Sequence, residues 1–194
     1  MKLLLCEGKD DIAVVEGLCL HSKITGLSLE QYGGRDRLQE VVCRLPIRPE
    51  FTRGELESLA ILIDAEKDRD ASFQKVRDII RKTFDVVVEN PGVFASSKPR
   101  VAGFVVCDDS GCGMLEDVCL KSVSDQADHK CMEEYFKCLS EKTGQKDFHP
   151  KAKFKAWMAS QIEFDIRVGL AAAGGYLPWE NEAFDDLREF LKTI

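Results

Sequence analysis

The sequence contains no Cys-x-x-Cys pair, and its three histidines, His21, His129 and His149, lie far apart. A structural zinc site needs closely spaced thiol and imidazole ligands, so this spacing argues against one. The eight cysteines also do not suit a disulfide framework, because such frameworks staple domains much shorter than 194 residues. We therefore expect reduced, mostly buried thiols.

Long apolar runs are missing as well. The apolar start of the chain ends at Glu7 after only a few residues, which is too short for a signal peptide or a bilayer span. A cytoplasmic location without a membrane partner is therefore expected. No Gly-x-x-x-x-Gly-Lys-Ser/Thr motif occurs either, so any ATP-driven function requires a separate protein such as an ATPase.

The sequence also lacks a surplus of basic residues. The chain has 27 Lys and Arg against 34 Asp and Glu, for a net charge of -7. This balance argues against strong, independent nucleic-acid binding, because phosphate contacts dominate such affinity. A local patch or a bound divalent cation can still handle phosphate. The length predicts a single compact domain, with a core over residues 1–125 and a helical extension packed on it over residues 126–194.

Short apolar runs alternate with helical stripes along the chain. Residues 2–6 form an unbroken apolar run, and residues 10–21 repeat apolar side chains at helical spacing. Two more strand and helix pairs follow, so the pattern predicts a doubly wound α/β sheet of mostly parallel strands with helices on both faces. Other predicted segments are a surface loop over 46–57, a short strand at 84–88, a strand at 101–107, a helix around 131–139, a loop over 144–150 and a final helix around 184–191 that covers the sheet or an edge.

Acidic residues follow the ends of three predicted strands, at Glu7, Asp64 and Asp108. Because parallel strands end on one edge of a sheet, these side chains are expected at the edge where α/β proteins bind ligands. Clustered carboxylates repel one another unless a cation holds them, and hard oxygen ligands select Mg²⁺, Mn²⁺ or Ca²⁺. The pattern favours a metal-dependent phosphoryl-transfer site. Its alternative is that the acids are solvated loop residues or helix N-caps.

Two short motifs resemble the Toprim domain of topoisomerases, primases and OLD-type nucleases. They are Glu7-Gly8-x-x-Asp11 after one strand and Asp64-x-Glu66-x-Asp68 after a later one. The family pattern is Glu-Gly followed by Asp-x-Asp, so Glu66 stands where the family has its second Asp. The chain is similar over most of its length to a compact, stand-alone branch related to the OLD Toprim domain, through Tyr32-Gly33-Gly34, residues 104–117 and residues 151–160.

This resemblance implies a Toprim-like fold with C-terminal helical additions, and Mg²⁺- or Mn²⁺-dependent phosphoryl transfer on DNA or RNA. The implied enzyme is a nuclease that hydrolyses phosphodiesters. The implied metal ligands are Glu7, Asp11, Asp64, Glu66 and Glu116. Glu7 also has a catalytic role in this scheme, and Lys153 offsets charge in the transition state. Asp108, Asp109 or Asp117 could replace Glu116, and Lys151 or Lys155 could replace Lys153.

Several alternatives stay open at this point. The domain could be a catalytically silent module that binds metal or nucleotide and serves a protein partner, while a receiver-like domain lacks the expected lysine strand. The run from Lys151 to Trp157 suits either contact with nucleic acid or an ordinary amphipathic helix. Gly33-Gly34 favours a simple turn over a phosphate cradle. Whether the substrate is DNA, RNA or a nucleotide is not decided by these motifs.

Overall fold

The fold is an α/β arrangement built on one parallel sheet. This computed structural model describes residues 1–108, 110–161, 172 and 174–194. Among the described helices, none has both the length and the apolar character needed to cross a membrane. The strands are β1 (Lys2–Cys6), β2 (Leu27–Gln31), β3 (Ser58–Asp64) and β4 (Arg100–Val106). The α-helices are α1 (Lys9–His21), α2 (Leu38–Cys43), α3 (Pro49–Thr52), α4 (Arg69–Phe84), α5 (Leu115–Ser122), α6 (Ala127–Thr143), α7 (Pro150–Ala159) and α8 (Asp185–Thr193).

The four strands of the described chain pair in the order β2-β1-β3-β4, and every pair is parallel. Leu4 of β1 lies opposite Leu29 of β2 and Ala60 of β3. The central strands β1 and β3 are almost completely buried, which explains why both appear in the sequence as unbroken apolar runs. The predicted parallel sheet is thus confirmed.

Helices cover both faces of the sheet. Leu4 and Leu62 point to one face, where they share a core with α1, α5, α6, α7 and α8. Leu3 and Ile61 point to the other face, towards α2 and α4. Alternate strand residues face opposite sides, so one strand supplies both cores. The arrangement is consistent with the predicted doubly wound α/β fold.

The last helices complete the first of these cores. Phe154 and Trp157 of α7 are fully buried in it, so α7 is an amphipathic helix and these rings are core side chains. Phe190 of α8 stacks on Phe104 of β4, with ring centroids 4.6 Å apart. The final helix therefore covers part of the sheet, as the sequence predicts. The expected boundary near residue 125 lies between α5 and α6.

Two predicted segments are wrong. The expected surface loop over residues 46–57 contains α3 and part of a 3₁₀ turn at Leu45–Ile47, because Pro49 suits the first turn of a helix. The expected strand over residues 84–88 does not form, since α4 continues to Phe84. At the open edge of β4, the N–H groups of Gly92 and Ala95 instead donate to Gly103 and Val101.

The cysteines are free thiols, as expected, but the prediction that most are buried is wrong. Cys6, Cys19 and Cys119 are buried, whereas Cys107 and Cys112 are half-buried. Cys43, Cys131 and Cys138 are exposed, because they lie on the outer faces of α2 and α6. Apolar character alone did not distinguish the two sides of these helices.

Candidate functional site

Glu7 and Asp11 are brought together at the start of α1. Glu7 directly follows β1, and the N–H of Gly8 donates to Oδ2 of Asp11 over 2.6 Å. This bond caps the helix and fixes the Asp11 carboxylate one turn from Glu7. Burial, followed by the nearby Asp11 charge, raises the pKa of Glu7. Burial also raises the pKa of Asp11, although the Gly8 N–H opposes the shift.

Asp64 is the last residue of β3, the strand beside β1. Its Oδ1 accepts a hydrogen bond of 3.1 Å from the N–H of Leu115, the first residue of α5. Burial, followed by the charges of Asp11, Glu116 and Glu7, raises the pKa of Asp64 to about 8. These four acids therefore share one electrostatic environment, and we call Glu7, Asp11, Asp64 and Glu116 the acidic cluster.

Glu116 is the most enclosed member of the acidic cluster. It is the second residue of α5 and only 5% exposed. Its Oε2 is buried and has no hydrogen-bond partner within the described residues. Its Oε1 lies 3.7 Å from Nζ of Lys151. Burial raises the pKa of Glu116 although the charge of Lys151 opposes the shift. The surroundings of this side chain therefore disfavour its ionised form.

Lys151 is the lysine that reaches the acidic cluster. Burial alone would lower its pKa, but the charges of Glu116, Asp64, Asp11 and Glu7 raise it overall. Lys153, which the resemblance selected, contacts Glu133 of α6 instead, with Nζ 3.1 Å from Oε1. Positions two apart on a helix point about 200° apart around its axis, so Lys151 and Lys153 face different neighbours. Lys155 is exposed on the same helix.

Glu66 lies beside the acidic cluster and pairs with an arginine. Its backbone φ is 55°, and it exchanges two hydrogen bonds of 2.7 Å with Gly113. Its Oε2 lies 2.9 Å from Nη1 of Arg35. Sequence reasoning missed Arg35, although its position after β2 and the Gly33-Gly34 turn was a signal for the same sheet edge.

The other acids considered at the end of β4 have local roles. Oδ1 of Asp108 accepts from the N–H and hydroxyl of Ser110, at 2.8 and 2.5 Å. Although burial alone would raise the pKa of Asp108, these bonds lower it below its usual range. Oδ2 of Asp117 accepts from the N–H of Met114 over 2.9 Å and caps α5. Asp109 lies outside the described residues.

The turn after β2 holds this edge together. The N–H groups of Gly33 and Gly34 both donate to the carbonyl of Glu7, at 2.9 and 3.3 Å, so the expected turn is confirmed. The buried hydroxyl of Tyr32 donates to the carbonyl of Leu62 over 3.0 Å. Burial and then the Glu7 charge raise the pKa of this phenol, which remains neutral beneath the acids.

The acidic cluster fits Mg²⁺ or Mn²⁺ in its donor chemistry. All four side chains offer hard carboxylate oxygens, and one buried oxygen of Glu116 lacks a partner in the described chain. As placed, no three His, Cys, Asp or Glu side chains within 1–108, 110–161, 172 and 174–194 lie close enough to hold an ion. Mutual repulsion opposes closer approach of carboxylates in the absence of a cation.

Comparison with known proteins adds one match. The model of a family described as Protein of unknown function (DUF3226) matches residues 1–194. Neither the curated proteins nor the solved structures provide a match. What can be inferred about function therefore rests on the geometry described above.

Proposed function

Because the chain belongs to the family DUF3226, whose description assigns no function, we infer its role from the acidic cluster and propose a Toprim-type phosphoryl-transfer protein. Its proposed substrate is nucleic acid, and its proposed reaction is nuclease-like hydrolysis dependent on Mg²⁺ or Mn²⁺. The observation that carries this proposal is the partnerless, buried Oε2 of Glu116 beside the high-pKa carboxyl group of Asp64. A buried oxygen without a hydrogen-bond partner among other acids is a donor that a divalent cation would satisfy.

The positions of the two sequence motifs support the Toprim assignment. Glu7 follows β1 and Asp64 ends β3, and these strands are neighbours in the parallel sheet. Ligands bind at the carboxyl ends of strands in open α/β sheets, so both motifs face the expected side. Glu116 comes from a third segment, α5. The first residue of this helix, Leu115, donates its N–H to Oδ1 of Asp64.

In this proposal the residues that would hold the metal ion are those of the acidic cluster, Glu7, Asp11, Asp64 and Glu116. A bound Mg²⁺ or Mn²⁺ supplies Lewis acidity and positive charge to a phosphoryl group. Lys151 is the residue available to stabilise negative charge that develops on the substrate, because its ammonium group already lies near Glu116. The hydrogen bonds to Asp11 and Asp64 keep those carboxylates oriented.

A second candidate function keeps the metal site without independent catalysis. The net charge of -7 weakens binding to a polyanion, and the aromatic rings of Phe154 and Trp157 are buried rather than available for stacking on bases. These observations favour a metal- or nucleotide-binding module that works with a protein partner. Cleavage by the isolated chain separates the two candidates.

Calorimetric titration with Mg²⁺ and Mn²⁺ tests the metal site. We expect Glu116→Gln to weaken binding at least about tenfold, because it removes one charged oxygen ligand. Glu133→Gln is the matched control, since Glu133 pairs with a lysine of α7 but lies outside the acidic cluster. Equal affinity of the wild type and Glu116→Gln, or no binding at all, contradicts the proposal.

A cleavage assay on labelled single- and double-stranded DNA and RNA then tests catalysis. Lys151→Gln should reduce metal-dependent cleavage by about 100-fold, whereas Lys153→Gln should change it little, because only Lys151 interacts with the cluster. Metal binding without cleavage of any substrate supports the module that depends on a partner. The opposite ranking of the two lysines restores the role that the resemblance gave to Lys153.

A further inference from the structure

Arg35 is held rigidly beside the acidic cluster. Its Nη2 donates to Oγ of Ser72 over 2.7 Å, and its Nη1 approaches the carbonyl of Asp64 at 3.4 Å. The hydroxyl of Ser72 in turn donates to the carbonyl of Ala65 over 3.0 Å. The side chain is 20% exposed, so most of it is buried. Its charge reaches Glu7, where it opposes the rise in pKa.

Glu66 is a replaceable partner for this guanidinium group. Its side chain is 53% exposed, and its Oε2 lies 2.9 Å from Nη1 of Arg35. Because Glu66 is more than half exposed, water competes for its carboxylate, so this ion pair adds little stability. The left-handed backbone of Glu66, fixed by Gly113, directs a carboxylate to the place where another anion could sit.

We propose that Arg35 binds a phosphate group of the substrate at the edge of the acidic cluster and that Glu66 occupies this position until phosphate displaces it. The inference rests on the proposed function and deepens it by naming the residue that recognises phosphate. A guanidinium fork matches two phosphate oxygens, and the nearest oxygen of Glu66 lies 2.9 Å from Nη1 of this fork. Arg35 is thus a positioning residue for the phosphate, and Glu66 is its internal competitor.

Neighbouring groups are less suited than Arg35 to bind this phosphate. The N–H groups of Gly33 and Gly34 already donate to the carbonyl of Glu7, so these two groups are not available to a phosphate. Lys151 lies near Glu116 and faces the acids, where its charge offsets theirs. Arg35 instead pairs with the exposed Glu66, so displacement of that side chain would open the guanidinium group to a phosphate.

Binding of a fluorescein-labelled single-stranded oligonucleotide, measured by anisotropy at low salt in EDTA and in Mg²⁺, tests the proposal. Arg35→Gln should weaken binding about 10- to 100-fold, and Arg35→Lys should recover only part of the loss because a lysine lacks the fork. Glu66→Gln should tighten binding about three- to tenfold by freeing Arg35. A gel at the end of each titration reports whether the probe stays intact.

Glu40 of α2 and Arg44, which follows the last residue of that helix, provide matched controls, since they form a 2.8 Å ion pair with each other. Arg44→Gln and Glu40→Gln should leave affinity nearly unchanged. The slope of log K against log salt should fall by about 0.7 in Arg35→Gln, which corresponds to one lost phosphate contact on a single strand. A merely structural role for Arg35 would not change this slope, and thermal denaturation checks that each variant folds.

Inorganic pyrophosphate and oligonucleotides with and without a 5′-phosphate identify the source of the phosphate. Tighter binding of the 5′-phosphorylated strand assigns Arg35 to a terminal phosphate, and equal binding assigns it to the backbone diester. Arg35→Gln that binds as tightly as the wild type, or an absence of binding to every probe, overturns the inference. Calorimetry with Mn²⁺ on the same variants distinguishes this failure from the failure of the metal site, because Arg35 is not among its ligands.

Discussion

At the scale of single residues, Asp64 and Asp108 show how two acids near one sheet edge acquire opposite properties. Asp64 is largely enclosed among other carboxyl groups, and burial with these charges raises its pKa to about 8. Asp108 instead accepts bonds from Ser110 and Cys112, and its pKa falls although burial alone would raise it. Both lie at strand ends, so burial among like charges at Asp64 and local hydrogen-bond donors at Asp108 make the difference.

Replacement of Asp64 by asparagine should stabilise the protein at high pH in EDTA. An unfolded Asp titrates near 3.9, whereas the folded pKa is about 8. The folded state therefore binds more protons between these values, so stability is fully present below about pH 4 and is lost as pH rises through about 8. At pH 8, Asp64→Asn should gain on the order of 2 kcal/mol in free energy of unfolding, measured by denaturant titration.

Asp108→Asn is the control with the opposite sign. Because the folded pKa of Asp108 is lowered, its contribution is present above the unfolded pKa and is lost as pH falls through the folded value. The variant should therefore lose stability at neutral pH and lose less in acid. If Asp64→Asn is less stable than the wild type at pH 8, the carboxylate of Asp64 is satisfied without a cation, contrary to the proposal.

The sequence identified part of the candidate site at residue level. Glu7, Asp11 and Asp64 were predictable because strand ends in a parallel sheet meet at one edge. The distinction between Lys151 and Lys153 was not, since it depends on the rotation of α7 about its axis. Arg35 was missed because its neighbours Ser72 and Glu66 come from segments more than thirty positions away.

At the scale of elements, the contact between β4 and α4 depends on a glycine. A Cβ atom at Gly103 would lie 2.6 Å from Cγ1 of Val76, which is closer than two non-bonded carbon atoms approach. The helix therefore packs directly on the backbone of the strand. Gly103 interrupts an otherwise apolar run in the sequence, and close packing rather than a turn explains its presence.

Gly103→Ala should lower the free energy of unfolding by about 1–3 kcal/mol, because α4 must move to accommodate the methyl group. Chemical denaturation of Gly103→Ala, Val76→Ala and the double variant measures the effect. The double variant should lose at least about 1 kcal/mol less than the sum of the single losses, because removal of the Val76 methyl groups relieves the overlap. Strict additivity of the two losses contradicts this packing.

Elements were predictable from the sequence where burial is complete on both faces. β1 and β3 were found because their apolar runs have no polar face. The segment after α4 was mistaken for a strand because Val86, Val87 and Val88 have high strand propensity. The edge of β4 instead accepts hydrogen bonds from the 92–95 segment, and propensity alone does not predict which segment pairs there.

At the scale of the whole molecule, the eight reduced thiols differ in burial according to their position relative to the two cores. Cys6 and Cys119 belong to the larger core, while Cys43, Cys131 and Cys138 lie on the surface. Burial raises the pKa of Cys19 to about 11, and it raises those of Cys6 and Cys119 as well. Reactivity should therefore separate surface from core, because the thiolate is the reactive form.

A thiol-specific disulfide reagent added to the native protein should modify three thiols rapidly, those of Cys43, Cys131 and Cys138. Cys107 and Cys112 should react more slowly, and Cys6, Cys19 and Cys119 only after unfolding by guanidinium. Mass spectrometry identifies the labelled positions, and Cys43→Ser should remove one rapid equivalent. Rapid labelling of Cys119 in the native state contradicts the described core.

The sequence by itself determined the α/β class, the parallel central strands and the edge at which the acids gather, because burial pattern and strand direction are local properties. Only the tertiary structure decided which groups meet there. The approach of Glu116, Lys151 and Arg35 depends on the seating of α5, α7 and the β2 turn against the sheet. Such placement is set by packing between distant segments, and no short stretch of sequence contains it.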